Sequence, residues 1–241
     1  MSIILANFED KGRVHIDNYD SNIHKGKIRC DDGHELVAKK GGKKTHHYAH
    51  AKVEEGSSCC CSREMGEWHR SMENRVKNEY LEKIIIKDGV KHIADCLTDD
   101  NIVIEFQKSV ISPKIIKERD TFYKKYCKDL IWIFCCDGLD ISNPTQKGDI
   151  VCFEILKGSK YFLETTSTSF LDFRKAGFIQ LLKNKGNKCV GKIWTLKDFD
   201  KRYLSNCLKP DADKRIYHDR YNIDYYCTDN EISVIMKDYF K

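Results

Sequence analysis

The sequence predicts an α/β fold, with a mixed central sheet flanked by helices. A small β-rich module precedes that sheet and a helical extension follows it. Three observations point this way. Residues 92–107 read as a β-hairpin. Residues 113–126 carry apolar side chains at helical spacing. Residues 130–136 are almost continuously apolar, as a strand covered on both faces must be. A strand, a helix and a strand in that order form a crossover, which joins parallel strands. A chain of 241 residues can bury one good core with a small appendage.

The amino-terminal module spans 1–62 and ends at the string GSSCCCS. Cys30, His47, His50 and the run Cys59, Cys60, Cys61 lie there in polar, glycine-rich sequence. Such ligands in such surroundings suit a metal-stapled module. The alternative is a metal-free β-rich segment with solvated histidines. A helix is expected over 63–83, with Met65, Trp68, Met72 and Val76 on its core-facing stripe. Glu67 sits at the edge of that stripe, and His69 lies closer to the buried side, where a packed histidine is the simpler reading.

The hairpin that follows places strands at 92–98 and 102–107, with Asp99, Asp100 and Asn101 as its turn. If Thr98 faces Ile102, Asp95 lies opposite Glu105. Like charges facing across a ladder are unfavourable, and Glu105 sits in an otherwise apolar strand. A divalent cation between the two acids removes both objections. Gln107 shares the Glu105 face of the strand. Hard oxygen ligands and a group that orients water are what metal-dependent phosphodiester hydrolysis requires. The competing reading leaves Asp95 on a solvated edge and pairs Glu105 with a nearby lysine or arginine.

Ser112 caps and Pro113 opens the next helix, whose stripe holds Ile115, Ile116, Phe122, Tyr123 and Tyr126. Arg119 lies in that stripe, where it contacts a phosphate, pairs with Glu105 or snorkels to the surface. Ser109 either donates to a phosphate or simply ends its strand. A second hairpin is expected over 147–165, completing a core of 63–165. The extension over 166–241 opens with a predicted helix at 169–183 that Gly186 ends.

Composition restricts the partners less than charge distribution does. Forty-two basic and 37 acidic residues leave a net charge of +5, which announces no particular partner. Residues 173–196, however, hold Arg174, Lys175, Lys183, Lys185, Lys188 and Lys192 with no acid, a stretch suited to phosphates or to an ordinary solvated face. The aromatic-rich run at 214–226 is only weakly like a base-stacking surface, and core packing is its default reading. The beginning, MSIILANFED, is unlike a signal peptide, and no stretch is apolar enough to span a bilayer. A reducing intracellular compartment, cytoplasm or nucleus, is therefore expected for the twelve cysteines. Cys96, Cys127, Cys135, Cys136 and Cys152 fall in predicted strands or helix ends and act as small hydrophobes.

The string IEFQKSVIS, then ERDTFYKKY, then DLIWIF resembles the nuclease core of the competence protein CoiA-like family, within the PD-(D/E)XK superfamily. Its elements fall on Asp95, on 104–109, on Arg119 with Tyr123, and on 131–134; Ala94 stands where the superfamily name has Pro. The resemblance implies a restriction-endonuclease-like core, Mg²⁺ or Mn²⁺ on Asp95 and Glu105, and Gln107 orienting water. It implies an assisting Glu67 on the first core helix, although E-W-H here replaces the family's E-x-x-H. DNA, more than RNA, is the implied partner, met by Ser109, Arg119, Lys183, Lys185 and Lys188. CoiA-like proteins also carry an amino-terminal segment resembling a zinc ribbon, C-x-x-C followed by H-F-A-H. Here HYAH stands at 47–50 and Gly33 replaces the second cysteine. The implied structural Zn²⁺ ligands are Cys30, His47, His50 and Cys61, with Cys59 or Cys60 as substitutes for the last. Two rival readings stand beside the nuclease: a nucleic-acid-binding protein without cleavage, and a zinc-stapled interaction module. Oligomeric state is open.

Overall fold

A ten-stranded sheet organises the larger of two units in the computed structural model, which describes residues 5–30, 33–41, 46–51, 67–142, 144–158, 160–172, 178–209 and 227–240. The units are Met1–Arg70 and Ser71–Lys241. In the smaller, β1 (Leu5–Phe8) lies between β2 (Arg13–His15) and β3 (Ile28–Arg29) in an antiparallel sheet. A short helix, α1 (Ser21–His24), precedes β3, and β4 (Leu36–Lys39) pairs with β5 (His47–His50). Phe8, Ile16, Ile28, Cys30, Leu36 and Tyr48 are buried together as its core.

Helix α2 (Glu67–Glu73) runs through the division between the units. The larger unit continues with β6 (Leu81–Lys87), β7 (Val90–Leu97), β8 (Ile102–Gln107), α3 (Pro113–Tyr126) and β9 (Asp129–Cys135). Then come β10 (Asp140–Ile141), β11 (Thr145–Lys147), β12 (Ile150–Lys157), β13 (Thr168–Asp172), β14 (Phe178–Lys185) and β15 (Lys188–Trp194). Helices α4 (Leu196–Phe199) and α5 (Asp229–Tyr239) follow. The sheet order is β10-β12-β15-β14-β13-β9-β8-β7-β6, with β11 also on β12. β8, β9 and β13 run parallel and the other pairs antiparallel, so the sheet is mixed as expected.

Local chemistry explains the crossover. The Ser112 hydroxyl accepts from the Ile115 amide at 3.4 Å, and Pro113 occupies the first turn, where no amide is needed. Ile116, Phe122 and Tyr123 then pack with Val103, Leu130, Trp132 and Phe134 of the sheet. Asp120 is buried on the same helix, yet fully engaged. It accepts from Trp132 Nε1 at 2.9 Å, the Thr165 hydroxyl at 2.9 Å, the Thr166 amide at 2.8 Å and the Ser167 hydroxyl at 3.1 Å. These bonds bring the approach to β13 beside α3 and β9.

The helix expected over 63–83 ends at Glu73, and 63–66 lie outside the described residues. Trp68, Met72 and Val76 are buried, but Val76 bridges to Leu208 and the Lys77 amide donates to the Cys207 carbonyl at 2.7 Å. Cross-chain pairing there ends the helix, and the β-branched run Ile84 to Ile86 belongs in β6. The hairpin expected over 147–165 does not form. β12 pairs with β15 instead, and Tyr161–Glu164 is a 3₁₀ turn. The helix expected over 169–183 is corrected to β13 and β14, with 173–177 outside the described residues. Short apolar runs read alike as buried helix or strand, and pairing of β13 with β9 decides the matter. Gly186, at φ +60°, makes the turn from β14 to β15.

β14 and β15 are closely packed at Gly191. A Cβ there would stand 2.3 Å from Ile179 Cγ2 and 3.1 Å from the Gln180 carbonyl oxygen. Gly191→Ala should therefore cost about 1–3 kcal/mol of stability, read as a lowered urea midpoint; an unchanged midpoint would refute the close approach. No helix among the described residues is long and apolar enough to cross a membrane. Cys96, Cys135, Cys136 and Cys152 are buried, while Cys127 is half-buried.

Candidate active site

β8 delivers Glu105 to the α3 face of the sheet, where it is 1% exposed. Arg119, from the apolar stripe of α3, forms an ion pair with it. Of the readings open for Arg119, pairing with Glu105 is the one observed. The Glu105 charge raises the arginine pKa further, against the lowering effect of burial, and Asp95 adds to the rise. Tyr123 lies beside the same carboxylate; burial first, then that charge, pushes its phenol pKa up. Burial likewise lowers the His92 pKa, with Arg119 contributing.

Asp95 reaches the site by a different route. The β7–β8 ladder has the register Leu97↔Val103 and Cys96↔Ile104 and then stops. On the other side, pairing with β6 skips from Cys96 to Ala94, opposite Glu82 at φ +44°. Asp95 nevertheless stays within β7, whose register with β6 is the same on both sides of it. Its carboxylate accepts from the Phe106 amide at 2.7 Å. It also turns toward α2, where Glu73 is fully buried, and an oxygen of each carboxylate lies within 4.8 Å of the other. His69 precedes Glu73 by one turn on that helix and shares its face.

Both expected acids lie near Arg119, whose pKa each of them raises. Asp95 associates with Glu73, while Glu105 associates with Arg119. Gln107 is half-buried, and its side-chain amide donates to the Ser109 carbonyl. Ser109 itself is exposed just beyond β8. Glu67 opens α2, with its side chain outside the described residues. Sequence reading missed Glu73. The signal was present in H-R-S-M-E, an i, i+4 pair of potential ligands on one helix face.

The basic stretch has intramolecular partners. Lys185 and Lys188 donate to the carbonyls of Phe240 and Tyr239, each at 3.4 Å. Lys183 and Lys188 also lie over the rings of Phe240 and Tyr239, at 5.6 and 5.4 Å. These lysines thereby complement the negative end of α5. Arg174, Lys175 and the run at 214–226 lie outside the described residues.

In the smaller unit, Cys30, His34 and His50 bring ligand atoms within 4.8 Å of one another. His34, which the sequence reading missed, takes the place assigned to His47. Residues three apart on a strand point to opposite faces, so His47 and His50 of β5 cannot both face Cys30. A turn completed by Gly33 at φ +82° returns His34 toward Cys30. The His34 amide donates to Cys30 Sγ at 3.3 Å, and its ring Nδ1 is 3.5 Å from the same sulfur. Cys59, Cys60 and Cys61 lie outside the described residues.

Residues 63–169 match the family described as the competence protein CoiA, nuclease-like domain. No curated protein and no solved structure matches the chain. The matched segment contains α2, the three acids Glu73, Asp95 and Glu105, and the Arg119 that neutralises one of them. Residues 63–169 are thus similar to the CoiA nuclease-like domain, and that similarity implies the PD-(D/E)XK superfamily.

Proposed function

We propose that the chain is a nuclease that hydrolyses phosphodiester bonds with Mg²⁺ or Mn²⁺, preferring DNA to RNA. One observation carries the reading: Glu73 and Asp95 hold carboxylate oxygens within 4.8 Å of each other in a partly buried setting. Hard oxygen donors grouped in this way suit Mg²⁺ or Mn²⁺. A bound divalent cation supplies Lewis-acid charge and an activated water.

The protein groups do the positioning. The Phe106 amide fixes Asp95, and burial holds Glu73 in place. Glu105 adds a third acid, and Arg119 balances its charge beside the place of the scissile phosphate. Gln107 orients the attacking water after leaving the Ser109 carbonyl. Glu67 assists from the first turn of α2, and Ser109 contacts the nucleic-acid backbone. Likeness to the CoiA nuclease-like domain supports DNA as the preferred substrate. Linear duplex, circular and single-stranded DNA incubated with Mn²⁺, Mg²⁺ or EDTA test the reading. Cleavage that EDTA abolishes is expected. DNA binding without cleavage under any condition would instead make this a binding protein on a nuclease frame.

The smaller unit is assigned a structural Zn²⁺ on Cys30, His34 and His50, with one of Cys59, Cys60 or Cys61 as fourth ligand. Sulfur and imidazole donors suit that ion, and the His34 amide and ring Nδ1 both lie against Cys30 Sγ, at 3.3 and 3.5 Å. Metal analysis of purified protein should find one zinc per chain. His34→Ala should lose it and His47→Ala should keep it. Only trace zinc in the wild-type protein would sink the assignment.

A further inference from the structure

A cavity of about 450 Å³ opens at the end of β15, lined by Lys192, Ile193, Trp194, Asp198, Lys201 and Arg202. Its charges are not equivalent. Lys192 lies 3.3 Å from the buried Asp149, and the Asp198 carboxylate accepts from the Thr195 hydroxyl at 2.6 Å. Lys201 and Arg202 are exposed and leave the mouth positive. Trp194 is half-buried and clamped. Its Nε1 donates to Gln180 Oε1 at 3.0 Å, and Phe170 meets it edge-on with ring centroids 5.8 Å apart. A fixed indole beside two cations offers a stacking plane together with phosphate contacts.

The cavity is also placed to serve the acids. Register carries Trp194 to Phe178, Phe178 to Asp172 and Asp172 to Cys135, while Gln107 pairs with Phe134. Trp194 and Gln107 therefore share one end of the sheet, four strand spacings or about 19 Å apart. Asp200, in the helical stretch that carries Asp198, Lys201 and Arg202, forms an ion pair with Arg75, two residues beyond Glu73. One short segment thus lines the cavity and anchors the exit of α2.

We propose that this cavity receives an unpaired base and its phosphate from a single-stranded nucleic acid. This rests on the nuclease reading and narrows its substrate. A cavity of this volume fits a small ligand, and a duplex keeps its base faces inside its own stack. Only an unpaired nucleotide presents both the π-face that Trp194 matches and the phosphate that Lys201 and Arg202 match.

The test is binding of labelled oligo(dT) and of blunt duplex DNA in EDTA, where cleavage is absent. It compares wild type with Trp194→Ala, Trp194→Phe and the double variant Lys201→Glu/Arg202→Glu. Trp194→Ala should weaken oligo(dT) binding about fivefold or more, and Trp194→Phe should retain most of it. The double variant changes only exposed side chains, and its melting temperature should match wild type; it should weaken oligo(dT) binding and lower the salt slope by about two. Duplex affinity should change much less. Unchanged oligo(dT) affinity in the double variant and in Trp194→Ala would overturn the proposal, as would an equal loss for duplex. Residue-dependent oligo(dT) binding in a protein that cleaves nothing would sustain the cavity and sink the nuclease.

Discussion

Asp95→Asn should abolish metal-dependent cleavage while leaving the fold intact. Asparagine keeps an oxygen to accept from the Phe106 amide, which Asp95 binds at 2.7 Å, so the clasp between β7 and β8 is kept. What disappears is the charge facing Glu73. Loss of groups that merely support a ligand typically costs 10–100-fold, so loss of a ligand's charge should exceed about 100-fold in activity. DNA binding in EDTA should hold or strengthen, because a negative charge leaves the phosphate's neighbourhood. Stability separates this from a folding defect. Without metal the variant should stay close to wild type, since the Phe106 amide keeps its acceptor. Added Mg²⁺ or Mn²⁺ should raise the wild-type melting temperature and leave the variant's unmoved. A variant that cleaves at the wild-type rate would remove Asp95 from the site.

Arg119→Ala should produce the largest loss of stability, about 3–5 kcal/mol. Glu105 is 1% exposed and Arg119 16% exposed, so solvent screens their pair little. Removing the guanidinium strands a buried carboxylate. That carboxylate then takes up a proton more readily than in the unfolded chain, so its folded pKa is raised above the unfolded value of about 4.3. A group raised in this way contributes most below its unfolded pKa and loses that contribution as pH rises through its folded pKa. The variant's deficit should therefore shrink on acidification from pH 7. Adding Glu105→Gln should recover much of the loss at neutral pH. Urea unfolding of the single and double variants decides this, and a single-variant loss below about 1 kcal/mol would show the pair to be dispensable.

The fold was legible where local chemistry decides it. Ser112 and Pro113 define the start of α3, and the apolar run of β9 announces a strand buried on both faces. It was illegible where distant pairing decides. Nothing near Phe170 or Ile179 distinguishes a helix from strands until β9 and β15 come alongside. Candidate acids were visible as carboxylates in apolar company, but their grouping was not. The register Leu97↔Val103 and Cys96↔Ile104 is the one the hairpin reading expects, whereas the approach of Glu73 from α2 lies beyond any reading of the hairpin alone. His34 was hidden by a tempting H-x-x-H string whose two histidines belong to opposite faces of β5. The contacts of Lys183, Lys185 and Lys188 with the end of α5 were hidden because that end lies some fifty residues later.

The parallel trio β8-β9-β13 has a consequence for how the chain can be divided. The family match ends at residue 169, whereas β13 runs from Thr168 to Asp172. A fragment cut at that boundary would lose most of β13, exposing one hydrogen-bonding edge of β9, whose residues from Leu130 to Cys135 are all buried. Long apolar edges recruit other chains. The span of family likeness is therefore shorter than the span that closes the sheet, and a fragment that keeps β9 covered must run past β13.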